Sequence, residues 1–339
     1  IFFHELGHFL VAKKSGIRVE RFSLGFPPSI VKKKIGDTEY CIGLIPLGGY
    51  VKMTGENPDD ETTGADYEYM SKSILTRASV IIAGPAANFF LAWFILWGLY
   101  FVQGETITDP NRSVIGIVAE ESPAEAAGLL PGDIVISVNG TQVAGFGEMA
   151  KLISAEVEKP IILEWDRDGV IMSATTTTAA DEIYNKEGQK VAVGKIGVGQ
   201  HGEESPLGFF ASAGRGFGRT MEYGRMIFTL VWDLMSLQVS PKAIGGPVFI
   251  AQMAGQTAQL GFSTLLFFMA LLSVNLAILN VLPIPILDGG HLLFLLIEKL
   301  KGTPLSINQR AIAQQVGLVF LLLVIVLVTY NDIVRFITG

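Results

Sequence analysis

The sequence predicts an α-helical polytopic membrane protein of about four transmembrane helices, the first truncated, with an inserted α+β domain. Two runs, Val80 to Val102 and Ala311 to Tyr330, are apolar and uncharged over the roughly 20 residues that a helix needs to cross a bilayer. A third, Phe262 to Pro283, is similarly apolar but carries Ser273, Asn275 and Asn280, which lipid penalises unless they face protein. From about Arg112 to Gln200 the pattern changes to short β-rich runs broken by turn signals. Composition agrees: 50% hydrophobic and 17% charged residues with a mean hydropathy of +0.45 exclude a disordered chain and disfavour an ordinary soluble one. A net charge of −7 and a pI near 5.2 argue against a nucleic-acid partner.

The first span is short. Ile1 to Ala12 does not cross a bilayer alone, but Lys13-Lys14 follows it at once and the sequence opens at Ile1-Phe2-Phe3 without methionine. It therefore reads as the inner end of a truncated span. Basic residues set the orientation: ten Lys and Arg lie between Lys13 and Arg77, and Lys299, Lys301 and Arg310 follow the third span. Both loops are expected in the cytoplasm. The segment from Gln103 to Gly261 holds 11 basic and 19 acidic residues and is expected outside. Met221 to Val239 is apolar but interrupted by Glu222, Arg225 and Asp233, which suits a packing helix on the outer membrane surface better than a fifth span.

In the inserted domain, Ser122 is placed to cap a helix beginning at Pro123, and Gly128 to end it. Asn139-Gly140 is a hairpin turn. The elements SPAEAAGLLPGD and SVNG resemble a PDZ domain over about 90 residues. Such domains take an extended peptide on a sheet edge; no carboxylate-binding loop is obvious, so a spacer or steric gate is an equal alternative. The single cysteine, Cys41, reads as a packing residue.

The chemistry is concentrated at the start. His4-Glu5-Leu6-Gly7-His8 is the HExxH pattern, which on a helix sets two imidazoles on one face to share a zinc ion, with the glutamate beside it as general base. A catalytic zinc needs a third protein ligand. His201 lies in the outer segment, on the wrong side. Asp288 follows Pro283 and Pro285, which must interrupt helix, and precedes Gly289-Gly290, which are expected to permit a non-helical backbone. Asp288 falls 11 residues before Lys299, and His4 and His8 nine and five before Lys13, so all three are expected at similar depth near the cytoplasmic face. His291 is a competing ligand.

Together these residues resemble the site-2 protease family of intramembrane zinc metalloproteases (peptidase family M50), of the bacterial RseP type with a single PDZ domain. The resemblance runs through His4-Glu5-x-x-His8, Gly43 to Met53, Gly84-Pro-Ala-Ala-Asn88, the PDZ, Gly246-Pro247 and Asn280 to Gly289. It implies one catalytic Zn2+ held by His4, His8 and Asp288, with Glu5 as catalytic base. It also implies substrate-backbone contacts from Asn280, with Asn88 a lesser candidate. A short membrane-associated β element over Ile42 to Met53 would pair with an unwound substrate through Gly48, Gly49 and Tyr50; an ordinary cytoplasmic hairpin turning at Pro46 is the alternative.

The implied organisation is an N-terminal membrane domain (1–104), a PDZ domain on the periplasmic side (105–204) and a C-terminal membrane domain (205–339). The implied activity is zinc-dependent endopeptidase cleavage in or near transmembrane segments of single-pass proteins, such as pre-cleaved anti-sigma factors or signal-peptide remnants. The implied partners are that segment, the lipid bilayer and a peptide or trimmed substrate end at the PDZ, with no nucleic acid. The implied location is the bacterial inner membrane, with the active site near the cytoplasmic side. A catalytically inert PDZ scaffold and a zinc transporter or sensor are the competing classes. The first would not need His4, Glu5, His8 and Asp288 together, and the second would need polar residues through the whole membrane thickness.

Overall fold

The computed structural model describes residues 1–56, 63–185, 189–240 and 245–338. Helix α1 (Phe2–Lys14) leads into two long strands, β1 (Val19–Ile35) and β2 (Thr38–Met53), and then into α2 (Ile74–Gln103). The middle of the chain alternates short elements: β3 (Glu105–Ile107), β4 (Ile115–Val118), α3 (Pro123–Ala126), β5 (Ile134–Val138), β6 (Thr141–Gln142) and α4 (Phe146–Ser154). Strands β7 (Pro160–Arg167), β8 (Val170–Thr177), β9 (Ala179–Tyr184), β10 (Lys190–Lys195), β11 (Val198–Gln200) and β12 (Glu203–Ser205) follow. Five helices close the chain: α5 (Phe209–Met235), α6 (Pro247–Gln259), α7 (Phe262–Val281), α8 (Asp288–Lys301) and α9 (Ile307–Thr338). They form two compact units, Ile1–Leu99 with Phe210–Trp232 and Gly245–Gly339, and Tyr100–Phe209 with Asp233–Ile244.

Among the described residues, three helices are long and apolar enough to cross a membrane, over Ile74–Gln103, Phe262–Val281 and Ile307–Val334. Helix α1, with 13 residues, falls short of the roughly 20 required. The surface helix expected over Met221 to Val239 is longer and displaced: α5 begins at Phe209 and ends at Met235. Its start follows from small residues, because Ser212, Gly216, Thr220 and Gly224 repeat every fourth position and form its buried stripe. A Cβ at Gly216 would sit 2.8 Å from the Trp97 backbone nitrogen, so α5 lies directly on α2, and Trp93 Nε1 donates to the Ala213 carbonyl (2.9 Å).

One of the polar positions on α7, Ser273, is explained by packing rather than by solvent. Ser273 Oγ donates to the Asn88 carbonyl of α2 at 2.8 Å, satisfying a hydroxyl that lipid could not. The Gly246-Pro247 motif starts α6, and amides of its first turn are capped from afar. The carboxylate of Asp332 on α9 accepts from Gly246 N (2.9 Å) and Phe249 N (3.0 Å), the partners that a helix N-terminus lacks within itself.

Strands β1 and β2 form more than a hairpin. Ser23 pairs with both Cys41 and Tyr50, and Leu24 with both Ile42 and Gly49. The first half of β1 thus lies between the two halves of β2, and Gly49–Met53 becomes an edge whose ladder partner among the described residues is β1. Although β2 is strand in backbone assignment from Thr38 to Met53, its register on β1 reverses between Ile42 and Gly49, so the chain does turn around Pro46. Ala12, Ile17, Val19, Met53, Tyr69 and Val80 make the core that joins this sheet to α1 and α2.

The second unit is built around a sheet of order β6-β5-β7-β8, with Val135, Met149, Leu163 and Trp165 in its core. Ser122 Oγ accepts from Glu125 N (3.2 Å), capping α3, and Gly128 leaves the helix at φ +83°. Asn139 and Gly140 take φ of 51° and 76°, the paired left-handed values of a type I′ turn. The aspartate ending SPAEAAGLLPGD is structural. Asp133 accepts two bonds from Arg167, both 2.7 Å, and one from Leu130 N (2.8 Å). Burial pushes its carboxyl up, but these donors outweigh burial and hold it below the usual range.

Candidate metal centre

The four-residue spacing of His4 and His8 on α1 sets both rings on one helix face, toward α2. His8 Nδ1 lies 2.8 Å from the Val80 carbonyl. A carbonyl only accepts, so Nδ1 carries the proton and Nε2 presents its lone pair. Asn88, one per cent exposed, places its side-chain Nδ2 3.3 Å from His4 Nδ1. The two ends of an amide exchange by rotation about its terminal bond. With the oxygen toward the ring, Nδ1–H donates and His4 Nε2 is free in the same way.

The two free nitrogens face each other at 3.2 Å. Asp288 Oδ2 completes the cluster, 3.2 Å from His4 Nε2 and 3.4 Å from His8 Nε2. Among the described residues, that oxygen is buried without a hydrogen-bond partner. Three lone-pair atoms so close repel unless a cation lies between them. Donors about 2.0–2.1 Å from zinc in a tetrahedral site stand roughly 3.3 Å apart, and the three separations here match that spacing. Among the described residues this is the group of His, Cys, Asp and Glu side chains arranged to hold a metal.

Local sequence explains how the rings come this close. Gly84 of α2 lies directly behind them: a Cβ there would sit 2.2 Å from His8 Nε2 and 2.8 Å from His4 Cε1. Gly7, on the same face of α1, would meet the Ala83 carbonyl at 2.2 Å, so α1 and α2 touch through missing side chains. On the far side, α7 ends at Val281 and α8 starts at Asp288. Pro283 and Pro285 keep the link non-helical, as their rings require. The glycines differ from expectation: Gly289 and Gly290 are the second and third residues of α8, not part of an irregular backbone. They are needed for close approach, since Cβ atoms would stand 2.1 Å from the Val281 carbonyl and 2.2 Å from that of Ile284.

A cavity of about 620 Å³ opens onto the cluster. Glu5, Gly49, Tyr50, Asn280 and His291 line it beside the three ligand candidates. Glu5 rests against the sheet edge, where a Gly49 Cβ would be 3.0 Å from Glu5 Cγ. Two expected substrate contacts are placed elsewhere. Asn88 is buried behind His4 and lies outside the cavity lining, and Gly48 packs on the Phe26 ring, 2.5 Å from its would-be Cβ. His291 lines the cavity but stays outside the metal-binding group, its ring edge-on to Phe294 at 5.9 Å. His201 belongs to the second unit.

That unit has a groove of its own, about 430 Å³, between α4 and residues 194–199. Ile117, Met149, Ile153, Ile196 and Val198 give it apolar walls. The run Lys195-Ile196-Gly197-Val198, which joins β10 to β11, lies at its rim. Gly197 takes φ +78° there, a feature invisible until the chain is folded.

Residues 1–324 match the description "Peptidase family M50". A relative in Rhizobium meliloti (strain 1021), provisionally named a zinc metalloprotease, is 34% identical over 353 residues, covering 98% of this chain and 93% of its own. The zinc metalloprotease RasP of Geobacillus kaustophilus (strain HTA426) is 32% identical, covering 99% and 95%. The regulator of sigma-W protease RasP of Bacillus subtilis (strain 168) is 29% identical, covering 99% and 96%. Among solved structures, the PDZ domain of an SdrC-like protein from Listeria monocytogenes is 18% identical with a TM-score of 0.22, covering 28% of this chain and 90% of its own.

Proposed function

Because the chain belongs to peptidase family M50 and is a zinc-dependent metalloprotease, we propose that it is an intramembrane endopeptidase whose zinc is held by His4, His8 and Asp288. The observation that carries this reading is the convergence of His4 Nε2, His8 Nε2 and the unpartnered Asp288 Oδ2 at 3.2–3.4 Å, beside Glu5 in one cavity. Bound zinc supplies Lewis acidity to a scissile carbonyl and to a water molecule. Glu5 takes the proton from the attacking water onto its carboxylate and returns it to the leaving amine, so that one C–N bond is hydrolysed.

The rest of the cavity presents the substrate. A transmembrane helix hides its peptide groups in its own hydrogen bonds, so it must be unwound before attack. The edge Gly49–Met53 offers backbone donors and acceptors next to Glu5, to which an extended segment adds as a further strand. Asn280, which also lines the cavity, has an amide suited to hold the substrate backbone.

Three helices able to cross a membrane support a polytopic protein with membrane domains at 1–104 and 205–339 and a PDZ domain at 105–204. The lysine and arginine distribution supports a cytoplasmic position for the Lys13–Arg77 segment, with the PDZ outside a bacterial inner membrane. The substrates in this reading are single-pass proteins, either anti-sigma factors already trimmed outside or signal-peptide remnants; the Bacillus subtilis relative is named for regulating sigma-W. The apolar groove beside α4 fits the end of a trimmed, extended chain.

Purified protein incubated with a single-pass substrate in detergent tests the proposal. Cleavage in the parent, and none in a Glu5→Gln variant that retains zinc, is the expected result. Equal cleavage by both would overturn the assignment of Glu5.

A further inference from the structure

We propose that the buried Arg77–Glu298 ion pair is a positioning device for the metal centre, fixing α8 at the height where Asp288 meets the two imidazoles. The inference rests on the ligand assignment above and extends it to residues outside the ligand set. Arg77 Nη1 donates to Glu298 Oε2 at 3.1 Å while Nη2 donates to Oε1, a two-pronged fork between residues 221 apart in sequence. Arg77 is 4% exposed and Glu298 is 8% exposed. Arg77 Nε donates to the Lys72 carbonyl at 3.2 Å, and Arg310 Nη2 stands 3.8 Å from Glu298 Oε2.

A buried ion pair is a poor source of net stability, because desolvation offsets most of its attraction and apolar residues in its place often do as well. What a fork does supply is fixed geometry: a planar guanidinium accepts one carboxylate orientation. The location of this fork makes that geometry matter. Positions 77, 80, 84 and 88 of α2 are spaced by three, four and four residues, so they share one face. Along that face Val80 accepts from His8, Gly84 makes room for both rings, and Asn88 touches His4.

Helix α2 thus holds the α1 ligands directly, whereas Asp288 sits on α8 and reaches this face through Glu298. The lengths are compatible. From Asp288 to Glu298 a helix rises about 15 Å, and from Arg77 to Gly84 about 10 Å, so the two contacts are separated by a similar length on each helix. A slip of one residue would move Asp288 by about 1.5 Å, against a ligand-distance tolerance of about 0.2 Å.

The opposite charges of the pair separate positioning from electrostatics. Arg77 and Arg310 both line the metal cavity. If charge alone mattered, Glu298→Gln would weaken zinc binding and Arg77→Gln would tighten it. Positioning requires both to weaken it, by about 10–100-fold as is usual for outer residues that orient ligands, and requires the double variant to be no worse than either single one.

The test uses the full chain in detergent. Zinc affinity is measured by chelator competition, the ligand field by the visible spectrum of the Co2+-substituted protein, and folding by melting of the metal-free form. The expected result is weaker zinc binding and an altered Co2+ spectrum in both single variants, with non-additivity in the double. Affinity within threefold of the parent, or effects of opposite sign, overturns the proposal. Should either Gln variant fail to fold, Arg77→Lys keeps the charge and loses the fork; parent-like affinity there also overturns it. Asp288→Asn separates the two levels of the argument: if it binds zinc as tightly as the parent, the ligand assignment itself fails.

Discussion

Replacing Gly84 by alanine tests the metal centre without touching any ligand. On propensity alone the change should help, since alanine in a helix interior is favoured over glycine by about 1 kcal/mol. The surroundings reverse the sign. The added methyl would lie 2.2 Å from His8 Nε2, 2.5 Å from His8 Cε1 and 2.8 Å from His4 Cε1. Ordinary contact begins near 3.4 Å, so the His8 ring must retreat by about 1.2 Å, roughly six times the tolerance of about 0.2 Å for a metal ligand. His8 Nδ1 is anchored to the Val80 carbonyl, and Val80 belongs to the helix that carries the new methyl, so the ring cannot retreat without losing that bond. We expect zinc affinity to fall at least about 100-fold, beyond the usual effect of an orienting residue. Zinc content after dialysis against a chelator series, with Glu5→Gln as a control that keeps its metal, measures this. A Gly84→Ala protein with stoichiometric zinc at parent affinity would refute the reasoning.

Three further outcomes follow from the same geometry. Asn88→Ala removes the group that fixes the His4 tautomer and should weaken zinc by about 10–100-fold, read by the same chelator competition. Gly49→Ala places a methyl 3.0 Å from Glu5 Cγ and 2.8 Å from the Ser23 carbonyl; cleavage should slow at least about tenfold while zinc content stays at the parent value, because the general base is displaced and the ligands are not. In the second unit, the depressed pKa of Asp133 gives a stabilising contribution that is full above the unfolded value, about 3.9, and is lost as pH falls through the folded value. Proteolytic sensitivity of residues 105–204 should therefore rise on acidification in the parent, and Asp133→Asn should be sensitive already at neutral pH with little further pH dependence.

What could be read from the sequence was local. His4, Glu5 and His8 lie within five residues, and helical geometry alone sets the two imidazoles side by side; Asp288 entered through its depth relative to nearby lysines. The Gly84-Pro-Ala-Ala-Asn88 run was visible as a motif, but its reason was not. Gly84 is defined by rings that arrive from 76 or more residues away, and Asn88 lies against the His4 ring. Long-range pairings were out of reach for the same cause. Nothing in the sequence links Arg77 with Glu298, or Gly246 with Asp332, because charge and spacing carry no information about which helices become neighbours. The double pairing of Ser23 likewise depends on where β2 bends. Gly289-Gly290 show the opposite error: a local preference for irregular backbone lost to packing, in which their missing side chains let α8 close onto the Val281 and Ile284 carbonyls.

The most direct measurement is X-ray absorption at the zinc edge of the purified, zinc-loaded protein, with Asp288→Asn beside it. The account predicts two imidazole nitrogens and carboxylate oxygen at about 2.0–2.2 Å, with the oxygen shell changed in the variant. A sulfur shell near 2.3 Å, which only Cys41 or a methionine could supply, or an unchanged spectrum in Asp288→Asn, would contradict it.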